Sequence, residues 1–148
     1  MIQRIQTIFL LITIAAISIE LTTPILNSSV SDQAGIYQDG SVYIREYMPV
    51  LFVLALSILI GIICIFLFKN RQTQKILVIL TLLLLLGGNL VSGFVFSTPT
   101  KAMIDTAHAV ISPGPGLFMP IIGLISLLLA YRGINKDDKI VKSMDRLR

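Results

Sequence analysis

The chain has 148 residues, 55% hydrophobic and 14% charged, with a mean hydropathy of +0.87. Soluble domains are usually about a quarter charged and under half apolar, so an ordinary soluble enzyme is excluded. The net charge of +4 does not imply nucleic acid, because most lysines and arginines flank apolar runs, where they set topology. Cys64 and His108 are the lone cysteine and histidine, so no intrachain disulfide, cysteine cluster or multi-histidine site can assemble, and no cofactor or metal is expected.

The apolar residues fall into four runs of membrane-spanning length, and the expected architecture is an all-α membrane protein, a four-transmembrane-helix bundle. The first span is placed at about 5–26, ended by Thr22-Thr23-Pro24; its 22 residues make about 33 Å of helix against a hydrocarbon core of about 30 Å. Ala16-Ile17-Ser18 loosely resembles a signal-peptide cleavage site, but the single Arg4 ahead of the run favours an uncleaved helix. An outer loop follows at 27–46. There Ile36 to Ile44 set β-formers on both sides of Asp39-Gly40, a pair suited to a two-residue type I′ turn, so a small outer β-hairpin is expected. Tyr37, Tyr43 and Tyr47 suit the headgroup level. Asn27-Ser28-Ser29 matches a glycosylation acceptor only formally.

The second span is placed at about 49–68, opening on Pro49, whose missing amide hydrogen costs nothing in a first helical turn. A cytoplasmic loop at 69–75 makes an antiparallel hairpin with the third span at about 76–96. A second outer loop, 97–116, carries Asp105 and His108, three apart; without a nucleophile motif or metal they read as a solvated pair. The fourth span, about 117–132, follows Pro113-Gly114-Pro115-Gly116, which leaves its start open by several residues. In the tail, 133–148, Ile140, Val141, Met144 and Leu147 form one apolar stripe among basic residues. A cytoplasmic amphipathic C-terminal helix is expected, starting near Asn135.

Ten of the twelve lysines and arginines lie in the amino-terminal arm, the 69–75 loop and the tail, and the outer loops hold only Arg45 and Lys101. The positive-inside rule therefore puts both termini in the cytoplasm. In the tail, Arg132, Lys136, Lys139, Lys142, Arg146 and Arg148 are candidates for binding anionic headgroups or docking a partner.

Glu20 is the one ionisable side chain within a span. Asn89 and Ser92 lie at a similar depth on span three, so a Glu20 bond to Asn89 or Ser92 is expected, with spans one and three facing each other. No chain of ionisable groups crosses the membrane, which disfavours a proton or ion relay. Small residues at four-residue spacing (Ser57 and Gly61, Gly88 and Ser92, Ser126 and Ala130) suit close helix approach.

The opening Met1-Ile2-Gln3-Arg4-Ile5-Gln6-Thr7, the Lys69-Asn70-Arg71 loop and the ending Arg132-Gly133-Ile134, Lys136-Asp137-Asp138 and Ser143 to Arg148 resemble a family of short bacterial inner-membrane proteins known only as a domain of unknown function. The resemblance spans the chain and implies four transmembrane helices and a bacterial envelope location; it carries no activity, cofactor or catalytic residue. The plan is also similar to claudin-like proteins, but their extracellular tryptophan and paired cysteines are missing here, so only an architectural analogy is left.

The leading expectation is a non-enzymatic accessory or scaffold subunit of a larger inner-membrane complex serving envelope biogenesis, secretion or respiration. The alternative is a small carrier or lipid-handling protein with a polar pocket near Glu20 and Asn89.

Overall fold

The computed structural model describes residues 2–28, 40–68, 70–97 and 111–145. With no water in a bilayer to satisfy backbone groups, each apolar run bonds within itself as a helix. The helices are α1 (Ile2–Thr22), α2 (Met48–Phe66), α3 (Arg71–Ser97) and α4 (Met119–Asp145). All four are long and apolar enough to cross a membrane.

Helix ends follow local chemistry. The Thr22 and Thr23 hydroxyls donate to the Ile19 carbonyl, at 3.0 and 2.7 Å, beside the Thr23 amide at 2.9 Å, so the last turn of α1 closes on one carbonyl just before Pro24. At the end of α2, the buried Gln74 side chain donates across the tight α2–α3 connection to the Cys64 carbonyl at 3.1 Å. Helix α3 begins at Arg71, so most of the expected 69–75 loop is already helical.

The helices form a ring: α1 lies between α2 and α4, and α3 also lies between α2 and α4. Spans one and three thus face each other across the diagonal. Leu10, Ile17, Leu54, Val78, Leu85, Leu127 and Ile134 fill the interior. Phe52, Phe66, Leu90 and Phe94 project outward, the distribution expected where lipid replaces water.

Close approach depends on small residues. A Cβ on Gly61 would meet the Ile14 side chain at 3.2 Å, one on Gly88 would meet Leu54 at 3.2 Å, and one on Gly123 would meet Leu85 at 3.2 Å. Ser57 is buried and its hydroxyl donates to Val53 O at 3.0 Å within α2. Ser126 is buried with Ala130 on α4, and its hydroxyl shares a 3.0 Å hydrogen bond with that of Thr13 on α1, a polar tie between lipid-embedded helices.

One expectation of the fold requires correction. The fourth span and the tail are not separate helices. Helix α4 runs for 27 residues through Asn135 without a break, because residues beyond Tyr131 still have an interior to bury against. Ile134 and Asp137 are both buried there. At about 1.5 Å per residue this helix is about 40 Å long, so its last turns project past a core of about 30 Å.

The described strands make pairings that the hairpin expected at Asp39-Gly40 did not include. Strand β2 (Ser41–Val42) pairs antiparallel with β1 (Leu26–Ser28), with Leu26 opposite Val42, and β1 pairs on its other edge with β3 (Ile111–Pro113), Leu26 opposite Pro113. The result is a three-stranded sheet in the order β2-β1-β3, which joins the α1–α2 and α3–α4 connections to the end of α1. Gly40 does adopt a positive φ of 66°, and its carbonyl accepts from Ser28 N at 2.7 Å. The Ile36 to Gln38 arm and Tyr37 lie outside the described residues. Tyr43 lies 4.2 Å beneath the Arg45 guanidinium, and Tyr47 packs on the core.

Candidate functional site

The two ends of the bundle are built differently. At the end bearing the sheet, Pro24 stops α1 and its carbonyl accepts from Gly116 N at 3.0 Å, while Gly114 N donates to Ile25 O at 2.7 Å. Gly114 is required on steric grounds, since a Cβ there would stand 2.2 Å from Pro24 O. These bonds clamp the start of the α4 segment, the short 3-10 turn Pro115–Phe118, onto the end of α1.

Beneath this cap the diagonal between α1 and α3 is unfilled, leaving a cavity of about 440 Å³. Small-molecule sites occupy roughly 300–1,000 Å³. Helix α1 contributes Glu20; α3 contributes Asn89, Ser92 and Gly93; the α4 segment contributes Gly116, Leu117 and Pro120; Ile25, Leu26 and Ile44 form the roof. Gly93 and Leu117 are exposed members of this lining, so the mouth opens sideways between α3 and the start of α4.

The structure thus brings Glu20, Asn89 and Ser92 to one cavity, but the expected Glu20 bond to Asn89 or Ser92 does not form. Asn89 faces the carboxyl, yet its amide N–H donates to Leu85 O at 2.9 Å, and the Ser92 hydroxyl donates to Asn89 O at 2.9 Å. The Ser92 hydroxyl and one of the two Asn89 amide hydrogens are thus claimed by nearby backbone carbonyls, an arrangement favoured wherever a short polar side chain sits in a helix, while the second Asn89 N–H is left on the side of the carboxyl. Glu20 is 0% exposed, and neither carboxylate oxygen has a hydrogen-bond partner.

The opposite end, where α1 begins and α4 ends, is fully matched. The buried Gln6 amide donates to the buried Asp137 carboxylate, Arg71 Nη1 donates to Asp137 O at 2.9 Å, and Lys75 Nζ forms an ion pair with Asp138 Oδ2 at 2.6 Å. Gly133 lets Gln6 approach, since its Cβ would stand 2.9 Å from Gln6 Cγ. Sequence reasoning missed this cluster: it started a tail helix near Asn135, just ahead of Asp137 and Asp138, and took the basic residues of the 69–75 loop, Arg71 and Lys75 among them, only as topology determinants. The available signal was Gln6, a polar interruption near the start of the first apolar run.

Arg132, Lys136 and Lys139 are exposed in a row along α4 and continue the face that carries Ile121, Ile125 and Leu128. That face changes from apolar to basic after Leu129, marking where the helix leaves lipid. The Lys142 side chain, Arg146 and Arg148 lie outside the described residues, as do Asp105 and His108. Among the described residues no group of three His, Cys, Asp or Glu could hold a metal ion.

Fold and site define a four-helix membrane protein with a three-stranded cap at one end of the bundle over a polar-floored cavity. The chain belongs to the family described as Domain of unknown function (DUF4293), whose model matches residues 2–147. No curated protein and no solved structure matches it.

Proposed function

We propose that this protein is a non-enzymatic, ligand-handling protein of the bacterial inner membrane, holding an amphipathic molecule in the cavity under the outer cap. The observation that carries this reading is the pairing of a 440 Å³ cavity with a buried, unpartnered Glu20 on its wall. A polar group in hydrocarbon is costly unless satisfied, and such residues commonly mark function. In this reading both termini are cytoplasmic, which follows from the concentration of basic residues at their end, and the cavity lies in the outer leaflet. Membrane lipids are the expected partners, anionic headgroups contact the basic row, and nucleic acid has no part.

A second reading, an accessory or scaffold subunit of a larger membrane complex, is favoured by Arg132, Lys136 and Lys139, which present three cations in register on a braced helix. One experiment separates the two. The tagged protein is isolated from native membranes in mild detergent, and retained lipids, small molecules and proteins are identified by mass spectrometry. A stoichiometric small amphipath, lost from a variant whose cavity mouth is plugged by Gly93→Trp, supports the ligand-handling reading. A stoichiometric protein partner, with nothing retained in the cavity, overturns it in favour of the subunit.

A further inference from the structure

The chemistry of the cavity narrows its ligand. Resting on the ligand-handling reading above, we propose that the site takes a primary ammonium group carried on an apolar stem. Among the described residues of the lining Glu20 is the one charged side chain; it is fully buried, and its two carboxylate oxygens have no hydrogen-bond partner. The Ser92 hydroxyl and one Asn89 amide hydrogen are spent on backbone carbonyls, so a single remaining Asn89 N–H stands against two carboxylate oxygens and the site still offers more acceptors than donors. An ammonium has three N–H donors and no acceptor, matching two carboxylate oxygens and an adjacent amide or hydroxyl oxygen. Its positive charge also answers the desolvated carboxylate, which an uncharged donor would not. A hard metal cation is a poorer fit, since calcium takes six to eight oxygens and magnesium near-ideal octahedral geometry.

The rest of the lining fixes the remainder of the ligand. Ile25, Leu26 and Ile44 above and Leu117 and Pro120 at the side are apolar, so the stem bearing the amine is hydrocarbon or a lipid linkage. The mouth between Gly93 and Leu117 opens sideways, where acyl chains remain in the bilayer while the headgroup enters. Two sources carry this chemistry: the headgroup of an amine-bearing phospholipid, and a free amphipathic amine.

The test uses the full-length protein in detergent micelles containing equal amounts of phosphatidylethanolamine, phosphatidylcholine and phosphatidylglycerol. Retained lipids are counted by native mass spectrometry, and decylamine is then added as competitor. Phosphatidylethanolamine should be retained at least about tenfold over the other two, because the choline headgroup has the charge without an N–H and the glycerol headgroup lacks the cation. Glu20→Gln should remove that preference. A Cβ on Gly93 meets nothing within 4 Å, so Gly93→Trp can plug the mouth without disturbing the fold and should abolish retention. Gly87 is equally open but does not line the cavity, so Gly87→Trp should retain lipid as the parent does. Unchanged thermal unfolding certifies each variant as folded.

Displacement of phosphatidylethanolamine by decylamine, or Glu20-dependent binding of decylamine alone, supports the ammonium site and identifies lipid or free amine as the source. Equal retention of all three lipids, sensitive to Gly93→Trp but not to Glu20→Gln, overturns the ammonium assignment and leaves the cavity reading standing. Retention indifferent to Gly93→Trp overturns both.

Discussion

The end carrying the termini and the end carrying the sheet both bury polar side chains, yet only the first matches them. Gln6 meets Asp137, Lys75 meets Asp138 and Arg71 caps the Asp137 carbonyl, so three helices are tied where the basic residues gather. Under the sheet, Glu20 faces Asn89 and Ser92 with neither oxygen bonded. Buried polar groups are costly when unsatisfied and modestly stabilising when satisfied, so the same residue chemistry should have opposite effects at the two ends.

That contrast can be broken or sharpened by substitution, read as thermal or denaturant unfolding in detergent. The largest effect is expected at the clamp under the sheet, where Gly114→Ala forces a Cβ to 2.2 Å from Pro24 O. A loss of about 3 kcal/mol, with release of the cap in hydrogen exchange, is the expected outcome of such overpacking. A neutral Gly114→Ala would mean that the cap is not clamped to α1.

At the matched end, Asp137→Ala leaves the buried Gln6 amide without its acceptor and should cost about 1–2 kcal/mol. At the unmatched end, Glu20→Leu in ligand-free protein should do the reverse and raise stability by about 1 kcal/mol, because it removes an unpartnered buried carboxyl. If Glu20→Leu destabilises as Asp137→Ala does, Glu20 has a structural partner and the contrast fails. The smallest effect belongs to Lys75→Ala, which removes a partly exposed ion pair and should cost under about 1 kcal/mol, less at high salt.

Much of this architecture was legible before any coordinates. Each of the four apolar runs corresponds to one helix, because crossing a bilayer is a requirement on local composition. The Glu20, Asn89 and Ser92 juxtaposition was legible by depth, since helical rise converts sequence offset into distance from the membrane surface. Their lack of mutual bonding was not, because donor choice depends on rotamers and on carbonyls within the same helix, such as Leu85 O. Asp39-Gly40 was legible as a local turn signal, but the pairing of β1 with β2 and β3 was not, because these strands come from separate segments and strand pairing is decided by which backbone edges meet in space. The tail was misjudged for a related reason. Its apolar stripe is visible in sequence, but whether it lies on lipid or continues along α1 and α3 depends on the buried Ile134 and Asp137 finding partners there.

The sequence by itself determined four spans, the clustering of basic residues at one end, and the family to which the chain belongs, since each is carried by hydropathy, charge or residue identity along the chain. Tertiary structure alone decided the three-stranded cap, the braced end and the cavity with its unmatched carboxylate. Those depend on which surfaces remain unpaired after the helices pack, a property of contacts between residues far apart in sequence.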